Sequence, residues 1–426
     1  MFDVREKPKM VERAYLVGLA QSGEPDGEAS SLLDELDELV STLGIGIVGR
    51  EVVRLRVPQS RFLLGAGKVE QIVARAREVE ADCLVLDAEL TPAQQRNWES
   101  ASGICVIDRQ EIILDIFHER ASTREAVLQV ELARAEHSLP RLKNAWTHLS
   151  RQRGGGGVTQ RGEGEAQIEL DARMVRQRIA KLKQELSLVV RHRQTQRKQR
   201  RKVPVPTTAI VGYTNAGKST LLNALTGASV LSEDKLFATL DPTTRQMRLP
   251  SGQKLLITDT VGFVRRLPHQ LVEAFKATLE EAVLADFLIH VVDVSNPEFE
   301  EHLHTTMEVL KELGADEKRI ITVYNKIDRC VDMPMGFRQN RKGTPVAVSA
   351  LDGDGLPELM ERCEAMLEDR MLTMELLMPF DRYDLISQLH EQGTVREERA
   401  GEEGVHMVAN VPVRLASSFD RYKVLS

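Results

Sequence analysis

The run Gly212-Tyr213-Thr214-Asn215-Ala216-Gly217-Lys218-Ser219 fits the spacing G-x-x-x-x-G-K-[ST], and Thr220 continues it. A strand-like stretch, TTAIV, precedes it and a helical stretch, STLLNALTG, follows. Glycines at these places let the backbone curl until its N–H groups face phosphate oxygens, and the helix start adds positive potential. Lys218 would reach the β- and γ-phosphates, and the Ser219 hydroxyl would ligate Mg²⁺. By itself this pattern implies only a nucleoside triphosphate. Asp259-Thr260-Val261-Gly262 closes the apolar run KLLIT. A carboxylate at such a strand end can hold the Mg²⁺ shell, while the Gly262 N–H senses the γ-phosphate.

The base is read further on. Asn325-Lys326-Ile327-Asp328 ends the apolar run RIITVY. A carboxylate at 328 accepts two hydrogen bonds from the N1–H and amino group of guanine. Adenine would leave it unpaired, at a large penalty. Asn325 can bond the base edge or brace the loop, and the stem of Lys326 can cover the ring. Ser349-Ala350-Leu351, after the next strand, could offer a backbone N–H to guanine O6. Between the phosphate loop and Asp259 lies Phe237-Ala238-Thr239-Leu240-Asp241, continuing to Arg245. A hydroxyl here could complete the metal shell once a γ-phosphate is present. Thr239, Thr243 and Thr244 all qualify chemically, and spacing does not choose among them. Lys218 and Gly262 are the groups that bear on hydrolysis itself.

The elements that must position these residues follow from pattern. Residues 1–120 alternate strand-like runs (AYLVGLA, IGIVGREVVRLRV, CLVLD, GICVID) with helical ones, which predicts a small α/β domain with a mainly parallel sheet. Residues 121–202 hold no convincing strand and read as an antiparallel helical hairpin. Its tip, 151–166, carries four consecutive glycines that cannot hold a helix, so a mobile basic loop is expected there. VPVP at 203–206 ends the hairpin. Residues 203–370 return to α/β alternation, a P-loop Ras-like G domain, and 371–426 form a small α+β tail.

Composition sets the outer bounds. The chain of 426 residues is 42% hydrophobic and 28% charged, as for ordinary packed domains, and only 4% aromatic, which disfavours base stacking as a main mode of binding. No apolar stretch is long enough to span a bilayer, and the charged opening MFDVREKPKM has no leader-like apolar core. The four cysteines are far apart and form no CxxC pattern, as expected of reduced thiols in a cytoplasmic protein. The net charge of −7 is uneven: residues 141–202 carry 17 Lys/Arg against 5 Asp/Glu, a balance of +12. One basic segment in an acidic chain implies a local anionic partner, either RNA or, in a rival reading, an acidic membrane surface. Gly65-Ala-Gly67-Lys68 lacks the full P-loop pattern. A strand-to-helix turn is the plainer reading of it, and an ATP site with weak ATPase or helicase-like activity the rival one.

Taken together, GYTNAGKSTLLNALTG, FATLDPTTR, DTVGFVRRLPHQLVEAF, NKID and SAL resemble the HflX family of ribosome-associated GTPases, in the Obg–HflX group. FLLGAGKVEQI and ARAEHSLPRLKNAWTHLSRQRGGGGVTQRGEGE extend the resemblance over nearly the whole chain, most weakly after residue 371. The resemblance implies that Thr239 is the Mg²⁺ ligand and that Asn215 holds K⁺ near the phosphates. Phe263 stands where Ras-like enzymes carry a water-positioning glutamine, so hydrolysis should be slow and depend on something else. It further implies a monomer that binds the large (50S) ribosomal subunit and splits or rescues stalled ribosomes under stress such as heat shock. Arg151, Arg153, Gly154, Gly155, Gly156, Gly157 and Arg161 would then meet rRNA near the peptidyl-transferase region. The alternative is a nucleotide-dependent rRNA-remodelling factor.

Overall fold

A computed structural model describes residues 11–21, 23, 27–145, 159–200, 205–227, 236–266, 279–330, 345–368, 371–401 and 403–424. The chain divides into two compact units. The first takes residues 1–190 with two short later stretches, 235–237 and 265–275. The second takes 191–234, 238–264 and 276–426.

In the first unit the order is β1 (Arg13–Gln21), α1 (Glu28–Thr42), β2 (Gly46–Leu55), α2 (Ala66–Glu78), β3 (Cys83–Leu86), α3 (Pro92–Ser102), β4 (Cys105–Asp108) and α4 (Arg109–Arg120). The strands form one parallel sheet in the order β2-β1-β3-β4. β1 and β3 are central and need apolar residues on both faces, which is why their sequences run apolar without alternation. Thr91 starts α3 through a reciprocal cap with Gln94, and Pro92 follows at the first helical position. Trp98 on that helix is fully buried, and its indole N–H donates to the Phe62 carbonyl at 2.8 Å.

Lys68, the lysine of the short glycine segment, pairs with Glu51 at 3.2 Å, and Arg75 pairs with the same carboxylate at 2.6 Å. Gly65 caps α2 in an ordinary extended conformation. That geometry belongs to a strand-to-helix turn closed by an ion pair.

Helices α5 (Arg124–Ala145) and α6 (Thr159–Arg200) follow. They run antiparallel: Arg124 meets Glu185 at 3.7 Å, and Glu131 meets Arg178 one step along each helix. The helix begins at Thr159, so the expected loop over 151–166 is shorter than its glycine content suggested. Gly162 and Gly164 each cost about 1 kcal/mol in a helix interior, which a 42-residue helix absorbs.

The second unit centres on a six-stranded sheet in the order β10-β9-β8-β5-β7-β6. Its strands are β5 (Thr207–Gly212), β6 (Thr243–Arg248), β7 (Lys254–Asp259), β8 (Phe287–Asp293), β9 (Ile320–Asn325) and β10 (Val346–Ala347). All pairs are parallel except β6 on β7, an antiparallel edge. The strand β6 escaped the sequence analysis because TTRQMR is largely exposed and shows no apolar run. Helices α7 (Lys218–Thr226), α8 (Phe299–Glu312) and α9 (Leu356–Glu368) cover the sheet. A third, antiparallel sheet, β11 (Met371–Met378), β13 (Val405–Pro412) and β12 (Thr394–Ala400), packs with α10 (Tyr383–Gln392) and α11 (Val413–Phe419) around its own apolar core. Among the described residues no helix is long and apolar enough to cross a membrane.

The first unit also buries a charge cluster. Glu35 of α1 accepts from Arg109 of α4 and, at 3.3 Å, from Arg265, while Arg109 also reaches Asp87 at 2.9 Å. Removing Glu35 takes a buried carboxylate away from two buried guanidiniums at once. Glu35→Ala should therefore destabilise this unit by about 3–5 kcal/mol. The measurement is the urea midpoint followed by tryptophan fluorescence, since Trp98 and Trp146 both lie within residues 1–190.

Candidate guanine-nucleotide site

The phosphate loop leaves the carboxyl end of β5 with left-handed backbone at Gly217 and Asn215 (φ 90° and 58°) and a positive φ of 153° at Gly212. Neither glycine has room for a side chain. A Cβ on Gly212 would lie 2.3 Å from the Val291 carbonyl oxygen, and one on Gly217 would lie 2.3 Å from the Asn325 amide nitrogen. Asn215 is exposed, and asparagine tolerates its left-handed geometry. Gly217 caps α7 without any side-chain acceptor, so the first amides of that helix have no cap side chain as partner. The Lys218 ammonium donates to the Tyr213 carbonyl at 2.7 Å. Burial pushes its pKa down to about 8; Asp259 opposes that shift and Lys326 adds to it.

Three oxygens converge beside it. The Ser219 and Thr239 hydroxyls donate to the same Asp259 oxygen, Oδ2, at 2.6 and 3.0 Å, and lie 2.8 Å from each other. Asp259 is fully buried, and its Oδ1 has no hydrogen-bond partner among the described residues. Burial raises its carboxyl above the usual range, against the pull of Lys218 and the two hydroxyls. Two hydroxyls and a carboxylate with an oxygen to spare make a hard donor set that suits Mg²⁺. Thr243 and Thr244 sit instead on β6, opposite Asp259 and Thr258, and the Thr244 hydroxyl is 2.9 Å from that of Thr258. Strand pairing thus separates three threonines that spacing left equivalent. The Phe237 ring is buried edge-on against Phe117 of α4, at 4.6 Å. Ala238, Leu240 and Asp241 surround Thr239 in the same segment.

At the carboxyl end of β9 Asn325 braces the loops. Its Nδ2 donates to the Ala216 carbonyl at 2.8 Å, and its Oδ1 accepts from the Ala350 N–H at 3.0 Å. Asp328 accepts from the Ser349 hydroxyl at 2.8 Å. Lys326, left-handed at φ 65°, pairs with Asp293 at 2.7 Å. Ile327 opens a single 3₁₀ turn, and Leu351 is exposed. On the switch side, Thr260 and Val261 are buried, and Gly262 is pressed against Thr214 and Lys218. Arg151, Arg153 and Gly154 to Gly157 lie outside the described residues, and of Arg161 only the helical backbone is described.

Models of four known families match successive parts of the chain between residues 30 and 422. They are "GTP-binding GTPase N-terminal" over 30–118, "GTP-binding GTPase Middle Region" over 120–200, "50S ribosome-binding GTPase" over 207–326 and "HflX C-terminal domain" over 335–422. A GTPase HflX of Akkermansia muciniphila is 50% identical, with 99% of each chain covered. Those of Lacrimispora saccharolytica and Escherichia coli are 45% and 38% identical, covering 98% and 94% of each chain. This chain belongs to the HflX family of GTPases. A GTP-binding protein of Sulfolobus solfataricus, solved in complex with GDP, is 26% identical over 83% of this chain and 98% of its own, with a TM-score of 0.44.

As an HflX-family GTPase the chain is a GTP hydrolase, and three residues join its site that motif reading passed over. Asp293, at the end of β8, anchors Lys326; an acid closing an apolar strand was its only signal. His302 of α8 stacks face to face on the Tyr213 ring, 3.7 Å between centroids and 5° from parallel, and nothing in the sequence flags that. His290 on β8 is buried, and burial together with the Lys218 charge drives its pKa down to about 4, so it stays neutral.

The hydroxyl geometry makes a discriminating prediction. Thr239→Ala should weaken Mg²⁺-dependent GTP binding by about tenfold or more, equivalent to about 1.4 kcal/mol. Thr244→Ala should leave it nearly unchanged. Titration with a fluorescent GTP analogue across a Mg²⁺ series checks both.

Proposed function

We propose that this HflX-family GTPase is a GTP-dependent switch that acts on the large (50S) ribosomal subunit, splitting or rescuing stalled ribosomes under stress. The observation that carries the reading is the meeting of Thr239, Ser219 and Asp259 at one point. A switch-segment hydroxyl joins the metal corner, so the order of that segment depends on what is bound there.

Ser219 and Thr239 would hold Mg²⁺ directly and Asp259 through water, and the ion would neutralise charge on the β- and γ-phosphates. Lys218 leaves the Tyr213 carbonyl for phosphate oxygens, and the amides at the start of α7 take the rest. The Gly262 N–H binds the terminal phosphate. Asp328 receives the guanine N1–H and amino group, and Ser349 orients it. The exposed Asn215 is the candidate K⁺ ligand beside the phosphates.

The partner is suggested by charge and by family. The matched family is described as a 50S ribosome-binding GTPase, and the segment with a balance of +12 includes all of α6. Lys/Arg contacts to rRNA phosphate release counterions and fall off steeply with salt. The glycine-rich tip with Arg151, Arg153 and Arg161 is assigned to rRNA near the peptidyl-transferase region. An ATP site at Gly65–Lys68 is disfavoured, because Lys68 is held by Glu51.

Two substitutions test the pocket. Lys218→Ala should lower GTP affinity by about a hundredfold or more, about 2.7 kcal/mol; unchanged affinity would remove Lys218 from the phosphate site. Asp328→Asn should turn preference from GTP towards XTP, and retained GTP selectivity would mean the base is read elsewhere. The ribosomal part is tested by hydrolysis rates with and without 50S subunits, in K⁺ and in Na⁺. Strong stimulation by 50S subunits is expected, weakening as salt rises. A rate indifferent to the subunit would refute the switch's target.

A further inference from the structure

Hydrolysis needs something to hold the attacking water, and Phe263 is unsuited to the task. Its ring is buried at 1% exposure, and its backbone is bridged to the phosphate loop: its N–H donates to the Gly212 carbonyl at 3.2 Å and its carbonyl accepts from the Thr214 N–H at 2.8 Å. Those bonds fix Thr214 in turn. Thr214 is 6% exposed, and its hydroxyl is buried with no hydrogen-bond partner among the described residues. A buried hydroxyl left unpaired costs about 1–3 kcal/mol, so its presence calls for a use. Its surroundings supply one. A Cβ built on Gly262 would fall 2.8 Å from both Cα and Cγ2 of Thr214 and 2.9 Å from Lys218 Nζ. Thr214, Gly262 and Lys218 are therefore packed against one another, with the Thr214 methyl towards Gly262. In the phosphate-site reading above, on which this inference rests, Lys218 and the Gly262 N–H both bind the terminal phosphoryl group, which brings it beside Thr214.

We propose that Thr214 is a catalytic residue, whose hydroxyl accepts a hydrogen bond from the attacking water and donates one to a γ-phosphoryl oxygen. The water oxygen forms the new bond to phosphorus as the bond from phosphorus to the β–γ bridging oxygen breaks, and GDP leaves with that oxygen. The water's proton passes to a phosphoryl oxygen of the departing inorganic phosphate. Thr214 keeps its own proton and ends as it began. The threonine takes over, from the phosphate loop, the orienting role that a glutamine after Gly262 would otherwise fill.

The test compares Thr214→Val, which keeps shape and removes the hydroxyl, with Thr214→Ser, which keeps the hydroxyl. Single-turnover GTP hydrolysis, GDP affinity and melting temperature are measured on the full chain. Valine should slow hydrolysis by about 10- to 100-fold, the scale of losing one oriented polar group. GDP affinity should hold within about threefold, since GDP has no γ-phosphate, and 3-fold is only about 0.7 kcal/mol. The melting temperature should stay level or rise, because an unpaired buried hydroxyl becomes a methyl group. Serine should hydrolyse near the wild-type rate. Valine turning over as fast as wild type would overturn the proposal. So would valine losing GDP affinity in step with its rate, which would mark a role in loop shape alone. Failure of the phosphate-site reading shows separately, as GTP binding that survives Lys218→Ala.

Discussion

One side chain ties the nucleotide pocket together: the Asn325 amide. It gives a hydrogen to the phosphate loop at Ala216 and takes one from Ala350, so three loops from three strand ends meet on it. The contact is possible only because residue 217 has no Cβ, which would otherwise stand 2.3 Å from the amide nitrogen. A glycine in the phosphate loop and an asparagine 108 positions later are thus one constraint. The loop that carries Lys218 and the strand end that leads to Asp328 are joined through it. The site is built at the carboxyl ends of parallel strands, the place where open α/β sheets bind ligands.

The phosphate loop and the segment after Asp259 are likewise stitched by backbone. Residues 212–214 and 263 form a short parallel bridge, outside the main strands. It buries Phe263, leaves Gly262 against Lys218, and directs Thr214 inward. Tyr213 is clamped from the other side by His302. A loop with positive φ at three of its six residues is thereby held by its neighbours.

Polar groups in this chain are buried where something answers them. In the first unit the carboxylates of Glu35 and Asp87 meet Arg109 and Arg265. In the second, Asp259 answers to two hydroxyls and Lys326 to Asp293. Exceptions among the described residues occur in both units; three of them, Asp259 Oδ1, the Thr214 hydroxyl and His290 Nε2, belong to the second.

Much of this was legible in the chain itself. The order and spacing of Gly212–Ser219, Asp259–Gly262 and Asn325–Asp328 determine a guanine-nucleotide pocket, because phosphate, metal and base each demand a residue type that little else can supply. Strand and helix alternation likewise announced the parallel strands of both sheets, since a strand covered on two faces must be apolar throughout. What only the tertiary structure decided was which of equivalent groups is used. Thr239 rather than Thr243 or Thr244 turns to Asp259 because an exposed, weakly patterned edge strand removes the other two. Asn325 faces the loops, Asp293 holds Lys326, and His302 stacks on Tyr213, through contacts between residues up to 109 positions apart. Local pattern carries the identity of a side chain and the period of its element. It does not carry the register of strands or the crossing of helices, and those set which distant side chains meet.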